Sequence, residues 1–201
     1  MARIQKDNST YKQKVALRRK LLSFVDTPIV METHGGEGKL YNACYTHIGQ
    51  GVVFEKNSDK SAVLGKQRPT WAVYEADCVM ALAGGAGAHL AVNFVDLDPY
   101  GEPWPAIDAF FSSDRPFPPC LVLAVNDGLK LKIGTGAAWH VKSLMGVVRK
   151  YGTNLYGRYL DICAELVNEK AAQAGYRLSR FAGYYCGHSL GITHYGAVLE
   201  K

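Results

Sequence analysis

The feature that most constrains the fold is a largely apolar run in the middle of the chain, residues 92–97, which stops abruptly at Asp98-Pro99. A run of this length, rich in Val and Phe, is typical of a strand buried on both faces, as in sheets covered by helices on both sides. Because proline cannot continue the ladder of hydrogen bonds, the strand must end at Asp98. The sequence therefore predicts an acid at the carboxyl end of a central strand, where open α/β sheets bind ligands.

Further short apolar runs alternate with segments of helical spacing along most of the chain. Strands are predicted at 28–32, 50–55, 71–74, 92–98 and 120–125, and helices at 14–24, 39–48, 58–66, 78–83, 106–111 and 155–174. Two longer runs, 177–186 and 192–199, predict a terminal antiparallel hairpin. The alternation predicts a doubly wound, mostly parallel sheet. Segment 126–136, where apolar residues alternate with lysines, is interpreted as a strand extension or an exposed loop.

Four acids follow the ends of successive predicted strands: Glu32, Glu55, Asp77 and Asp98. Because the carboxyl ends of parallel strands lie at one edge of a sheet, we expect these side chains to gather on one rim. Each has an ordinary alternative taken alone: Glu55 as a surface acid, Asp77 as the N-cap of the next helix, and Asp98 as a helix cap. Their regular order favours a ligand site.

The positive charge of the chain is concentrated at its start. The net charge is +5, but residues 1–20 alone carry +6, which leaves −1 for the remainder. A basic segment suits a phosphate-backbone partner, and a solvated helix on the surface is the plain alternative. Since Leu17, Leu21 and Phe24 share a helical face, we expect residues 1–27 to pack as a helix on a body formed by residues 28–201.

Composition argues against several other classes of protein. No apolar run approaches the length needed to span a membrane, and the N-terminus has no apolar signal region, so we expect a cytoplasmic protein without a membrane partner. The cysteines form no CxxC pair, which argues against a zinc site or a disulfide framework. They are Cys44, Cys78, Cys120, Cys163 and Cys186. We expect reduced thiols and no bound metal.

The glycine loop after the first predicted strand separates two classes of nucleotide cofactor. Gly36 and Gly38 fit the beginning of a dinucleotide fingerprint, G-x-G-x-x-G, but Tyr41 stands where its third glycine is required. A bulky side chain there obstructs the close packing of helix and strand, which counts against NAD.

Asp98-Pro99-Tyr100-Gly101 resembles the fourth motif of amino-group methyltransferases that use S-adenosylmethionine. The longer string from Val95 to Asp108 looks most like the family that makes N2,N2-dimethylguanosine in tRNA. The spacing from Glu32 through Gly36 to Gly38 resembles the first motif of methyltransferases. These resemblances imply a Rossmann-like class I methyltransferase fold, which ends in an antiparallel hairpin.

The resemblance also implies a set of cofactor contacts for S-adenosyl-L-methionine. Glu32 would orient the ligand's ammonium, with Gly36 and Gly38 admitting the nucleoside against the backbone. Glu55 would accept hydrogen bonds from the two ribose hydroxyls, for which a carboxylate has the required acceptors. Asp77 would accept from the adenine amine, and Cys78 would offer its backbone N–H.

Catalysis is expected at Asp98, Pro99 and Tyr100. The Asp98 carboxylate and the Pro99 carbonyl would accept hydrogen bonds from a target amine, and Tyr100 would stack on the ring that bears it. Trp104 is a second candidate for stacking, with burial in the core as its alternative.

The expected reaction is methyl transfer to an exocyclic amine of a nucleobase, in RNA more than in DNA. A DNA or small-molecule amine remains an alternative target. Another alternative is a non-catalytic cofactor-binding subunit whose partner subunit supplies target recognition, since the tRNA family has a further C-terminal domain that this sequence does not match.

Overall fold

In residues 10–134 and 149–201, seven strands form one sheet. They are β1 (Val30–Glu32), β2 (Gly51–Phe54), β3 (Ala72–Tyr74), β4 (Phe94–Leu97), β5 (Cys120–Asp127), β6 (Arg177–Cys186) and β7 (Ile192–Glu200). Their order across the sheet is β3-β2-β1-β4-β5-β7-β6. Strands β1 to β5 are parallel, whereas β7 runs antiparallel to both β5 and β6. The predicted mostly parallel sheet with a C-terminal antiparallel hairpin is confirmed.

The computed structural model describes residues 10–134 and 149–201. The helices within them are α1 (Tyr11–Leu22), α2 (Ser58–Gln67), α3 (Cys78–Ala83), α4 (Trp104–Ser112), α5 (Leu129–Gly134) and α6 (Tyr159–Ala172), with a short π-helix at Tyr41–Tyr45 and 3₁₀ turns at Gly152–Leu155 and His188–Leu190. Residues 1–9 of the predicted basic segment and residues 135–136 of the segment after β5 lie outside the described residues.

One prediction about the elements is wrong. The segment after β5 forms helix α5, rather than an extended strand or a loop, although β5 itself does continue to Asp127. The helix begins where the Asp127 carboxylate accepts a hydrogen bond from the backbone N–H of Leu129, at 2.8 Å. This contact satisfies one of the N–H groups that the first turn of a helix leaves without an intrahelical partner.

Apolar side chains pack against both faces of the sheet. On one face, Val95 and Leu97 of β4 lie in a core that includes Phe110 of α4 and Ile162 of α6. On the other face, Phe94 packs in a core with residues of α1, the π-helix and α2. Successive residues of a strand point to opposite faces, so the short central strand serves both cores.

Helix α1 packs on the body, against β5, β7 and the π-helix. Leu21 is buried against the backbone of Gly196 in β7, where a Cβ atom would lie only 2.5 Å from the Leu21 side chain. Arg18, on the same helix, is fully buried. Helix α1 is therefore anchored on the sheet by its inward face.

The described residues include neither a membrane-spanning helix nor a cluster of potential metal ligands. Among residues 10–134 and 149–201, no helix combines the length and the apolar character needed to cross a membrane. The same part of the chain contains no group of three or more His, Cys, Asp or Glu side chains arranged to hold a metal ion.

Candidate functional site

A cavity of about 480 Å³ lies at the carboxyl edge of the parallel strands. Strand order reverses there, since β1 has β2 on one side and β4 on the other, and this is where α/β sheets of this kind bind ligands. The volume falls in the range of small-molecule sites. The predicted residues that line it are Glu32, Gly36, Glu55, Asp77, Cys78, Asp98, Pro99 and Tyr100.

The loop after β1 and the end of β2 are joined through Glu55. Its Oε2 accepts a hydrogen bond from the backbone N–H of Gly36 at 2.8 Å, and its Oε1 accepts one from Asn57 at 2.9 Å. Each carboxylate oxygen has a further lone pair, so Glu55 is fixed in orientation and still able to accept from a pair of hydroxyl groups. The φ angle of Gly36 is +55°, a conformation that favours glycine.

Gly38 is not among the residues that line the cavity. Its φ angle is +73°, and a Cβ atom there would lie 2.2 Å from Oε1 of Gln67 in α2. Gly38 therefore lies where the loop passes close to α2, outside the cavity lining.

Asp77 caps helix α3. Its Oδ1 accepts hydrogen bonds from the backbone N–H groups of Val79 and Met80, at 3.0 and 3.3 Å. The residue thus has the capping role that sequence alone allowed, while its position on the cavity leaves Oδ2 as an acceptor for a ligand amine. Burial raises the pKa of the Cys78 thiol to about 11, so this group is neutral near pH 7.

His34 lies in the cavity among the acids, and sequence analysis did not select it. Its Nδ1 is 2.8 Å from Oγ1 of Thr33, and its Nε2 is 3.7 Å from Sγ of Cys78. Burial lowers the pKa of His34 although nearby carboxylates oppose that shift, which favours a neutral imidazole. A single histidine in a loop gives no sequence signal that would separate this position from a solvated one.

Glu32 has a partner that the sequence did not reveal. The guanidinium of Arg68 forms an ion pair with it, and both side chains are almost fully buried. Arg68 itself lies over the rings of Tyr41 and Trp71, at 4.3 and 5.2 Å from their centroids. Burial raises the pKa of Glu32 to about 8 while Arg68 opposes the shift. A cationic group in the cavity would favour its ionised form.

The Asp98-Pro99-Tyr100 segment forms the other end of the cavity. Asp98 is partly accessible, Pro99 is buried, and the Tyr100 side chain is 98% exposed. Lys14 of α1 donates a hydrogen bond to Oδ1 of Asp98 at 2.6 Å. A carboxylate at the inner edge and a free aromatic ring outside it are suited to a planar amine that enters from solvent.

The prediction that Trp104 stacks on a substrate is wrong. Its side chain is fully buried in the core, and its Nε1–H points to the hydroxyl of Tyr159 at 3.5 Å. Trp104 is the first residue of α4, whose apolar face packs on the sheet, so the ring is directed inward and away from the cavity. The alternative role, in the core, is the correct one.

Helix α1 contributes residues that sequence analysis missed. Thr10, Tyr11 and Lys14 all line the cavity, although they lie far from its other residues in the sequence. The Tyr11 hydroxyl donates a hydrogen bond to the carbonyl of Lys39, in the segment after the glycine loop, at 3.1 Å. No spacing in the sequence links residue 14 to residue 98, so only the tertiary structure reveals this side of the site.

Comparisons with known proteins relate the fold to one class of enzymes. No protein-family model matches the sequence, and a search of curated proteins finds no match. Among solved structures, Trm1 from Pyrococcus horikoshii, in complex with S-adenosyl-L-methionine, matches with a TM-score of 0.70 at 14% identity. That match covers 98% of this chain and 56% of Trm1, so the chain spans little more than half of that protein's length.

Two further structures have the same fold at similarly low identity. M. jannaschii TYW2 in complex with AdoMet matches with a TM-score of 0.62 at 13% identity, over 99% of this chain and 79% of that one. The N-methyltransferase NodS from Bradyrhizobium japonicum WM9, in complex with S-adenosyl-L-homocysteine, matches with a TM-score of 0.60 at 9% identity, over 99% and 90% of the two chains. The fold is therefore the Rossmann-like fold of class I methyltransferases.

Proposed function

We propose that this chain is an S-adenosylmethionine-dependent N-methyltransferase that acts on an exocyclic amine of a nucleobase in RNA. The observation that carries the proposal is the arrangement of four acids, from the ends of four parallel strands, around one cavity. Glu32, Glu55 and Asp77 provide acceptors for a cationic nucleoside, and Asp98 provides one for an amine beside it. The matching structures that contain S-adenosylmethionine or S-adenosylhomocysteine support the choice of cofactor.

The cavity fits the cofactor in its donor and acceptor chemistry. Glu55, fixed by Gly36 and Asn57, would accept from the ribose hydroxyls, and Asp77 would accept from the adenine amine. Glu32 would face the ammonium of the amino-acid part. When bound, S-adenosylmethionine supplies a methyl group on a positively charged sulfur, which leaves as a neutral thioether.

The work of the protein in such a reaction is to align the amine and make its lone pair available. The amine nitrogen would displace the methyl group from sulfur, which would keep the electron pair of the broken bond. The nitrogen would thereby become positively charged and would then release a proton to water. The Asp98 carboxylate, which accepts an N–H hydrogen bond, would stabilise that developing charge.

RNA as the target rests on the motif and on the outer surface of the site. The segment from Val95 to Asp108 resembles a family that modifies guanine in tRNA. Tyr100, almost wholly exposed, has a ring free to stack on an unpaired base, an interaction that tolerates many sequences. Helix α1, whose first turn lines the cavity, carries three exposed basic residues: Lys12, Arg19 and Lys20. They suit a phosphate backbone.

The test is transfer from labelled S-adenosylmethionine to total RNA, DNA and free nucleosides, read by nucleoside mass spectrometry. We expect a methylated amine in RNA, and Asp98→Ala should lower transfer by at least about 100-fold because a charge-stabilising group is lost. Binding of S-adenosylhomocysteine by that variant should persist. Asp59→Ala, which removes an exposed acid of α2, is the control and should behave as wild type.

Other outcomes of this test would assign a different function to the chain. Methylation of free nucleosides or small amines, independent of salt, would indicate a small-molecule enzyme, since nucleic-acid binding weakens steeply with salt. Cofactor binding without transfer to any of these substrates would contradict the proposal for the chain alone, and would favour a subunit that needs a second chain for target recognition.

A further inference from the structure

Helix α1 presents two basic side chains to two acids at the end of β4. Lys14 donates to Oδ1 of Asp98 at 2.6 Å, and Arg18 contacts both carboxylate oxygens of Asp96, with its shortest distance also 2.6 Å. Tyr45 donates a further hydrogen bond to Asp96 at 2.6 Å. These two inward-facing basic side chains of α1 therefore pair with acids of the protein itself and do not belong to its outer basic surface.

The spacing of the two pairs matches the geometry of a helix laid along a strand. Residues 14 and 18 are one turn apart on the same face of α1, a rise of about 6 Å. Residues 96 and 98 are two positions apart in extended chain at the end of β4, so their side chains point to the same side and their Cα atoms are about 6.6 Å apart. Both contacts can therefore form at once, and the buried Arg18–Asp96 pair holds Lys14 in register with Asp98.

The Lys14 contact leaves one oxygen of Asp98 for another donor. Oδ1 accepts from Lys14, while Oδ2 accepts no hydrogen bond from the described residues. Both side chains are about one-fifth exposed, so the pair is partly shielded from water and open to the cavity that both line. A carboxylate held by one oxygen has a restricted orientation, which fixes the direction from which its second oxygen can accept.

We propose that Lys14 is a positioning residue for Asp98, holding its carboxylate so that Oδ2 faces the N–H of the target amine. This inference rests on the proposed function, since it assigns Lys14 a role in the same reaction. Lys14 does not itself touch the reacting atoms. It acts by fixing and ionising the group that does.

Charge around Asp98 agrees with that role. Asp98 is faced by Lys14 and Arg18 from α1, by His194 from β7 and by His34 from the loop after β1. Burial alone would raise its pKa, but the charges of Arg18 and Lys14 outweigh burial and hold the pKa below its ordinary value. His194 is neutral near pH 7 because burial lowers its pKa to about 3. Loss of Lys14 should therefore raise the pKa of Asp98.

The test compares Lys14→Ala, Lys14→Arg and the control Lys66→Ala, which removes an exposed lysine of α2 that lies outside the cavity lining. We expect Lys14→Ala to lower kcat by about 10- to 100-fold, the worth of one hydrogen bond to a charged group. The acid limb of its kcat profile should move to higher pH, and S-adenosylhomocysteine should bind as in wild type. Lys14→Arg should recover most of the activity, and Lys66→Ala should keep kcat within about twofold.

Three results would overturn the inference. One is unchanged or higher activity of Lys14→Ala. Unchanged activity would show that the Lys14–Asp98 contact has no role in the reaction, and higher activity would show that it blocks access to the site. Another is a fall in kcat with no movement of the acid limb. The third is a rise in KM for RNA alone, which would assign Lys14 to the phosphate backbone.

Failure of the proposed function can be recognised separately. If the wild-type protein transfers no methyl group, the proposed function fails, and Lys14 has no reaction in which to position Asp98. The pairing can still be measured by a carbon-detected NMR titration of the Asp98 carboxyl. We expect its midpoint to rise in Lys14→Ala and to stay at the wild-type value in Lys66→Ala; equal midpoints in all three proteins would show that Lys14 does not control Asp98.

Discussion

Asp98 and Asp127 lie near the carboxyl ends of neighbouring strands, yet their environments shift their pKa values in opposite directions. Burial alone would raise the pKa of Asp98, but the cationic side chains of Arg18 and Lys14 hold it below its ordinary value. Asp127 is completely buried and accepts hydrogen bonds from the Leu129 N–H and the Tyr159 hydroxyl, both at 2.8 Å. Burial outweighs these contacts and raises its pKa to about 7. The first acid is suited to act as an acceptor, and the second is a structural group.

The raised pKa of Asp127 predicts how the stability of the protein depends on pH. The folded state holds a proton on Asp127 over the interval from about pH 4, the unfolded pKa, to about pH 7, the folded one. The stabilisation from this group is complete below that interval and is lost as pH rises through it. Asp127→Asn should remove this loss, which is on the order of 4 kcal/mol for a shift of that size.

Urea unfolding of wild type and Asp127→Asn at several pH values measures that difference. The two curves of unfolding free energy should converge at low pH and separate as pH rises, with the variant more stable relative to wild type at pH 8. Asp114→Asn, which changes an exposed acid, should follow wild type. Parallel curves for wild type and Asp127→Asn would contradict the assignment of the titrating group.

Sequence could identify the acids of the site but not their partners. The four carboxylates were predictable because each follows a strand, and parallel strands end at one edge. Lys14 and Arg68 were not, since an ion pair between distant segments leaves no spacing to read. Trp104 shows a different difficulty: a large aromatic next to a motif has the same appearance in sequence whether it stacks on a ligand or fills the core.

At the level of elements, α1 is held on the sheet by a buried ion pair as well as by apolar contacts. Arg18 and Asp96 are both almost completely buried, and Tyr45 completes the cluster. A buried charge is tolerated only when paired, so removing one partner costs far more than the pair itself contributes. The position of Lys14, one turn away, depends on this anchor.

Arg18→Met should therefore destabilise the protein by about 3–5 kcal/mol, because it leaves the Asp96 carboxylate buried without its cation. The matched control is Arg19→Met in the same helix, whose exposed side chain donates to the carbonyl of Ala43 at 2.9 Å. That change should cost less than about 1 kcal/mol. The midpoint of urea unfolding measures both, and equal losses would show that Arg18 is not an anchor.

Whether a segment forms a helix or a strand could be predicted where one spacing of apolar residues was dominant. The β strands were predictable because short apolar runs end at acids, Gly or Pro. Helix α5 was not, because Leu129, Leu131 and Ile133 alternate as in a strand. In the structure, Leu129 is buried, Leu131 is half exposed, and Lys130 lies between the rings of Tyr156 and Tyr185. The helix thus depends on tertiary contacts that its own sequence does not contain.

For the molecule as a whole, the sheet and its covering helices place one cavity at the point where strand order reverses. The fold is that of class I methyltransferases, and the acids Asp77, Glu55, Glu32 and Asp98 follow the order of β3, β2, β1 and β4 across the sheet. The site on that edge is closed on one side by α1. The proposed roles of these four acids all require this cavity to bind an adenosyl amino acid.

Titration calorimetry with S-adenosylhomocysteine tests that claim most directly. We expect one molecule to bind per chain, Glu55→Ala to weaken binding by at least about 10-fold because hydrogen bonds to a charged group are lost, and Glu75→Ala to leave binding unchanged. Glu75 is the matched control, an exposed acid just after β3 whose carboxylate accepts from the Ser58 hydroxyl at 3.0 Å. No binding to the wild-type chain, or equal binding by both variants, would contradict the account.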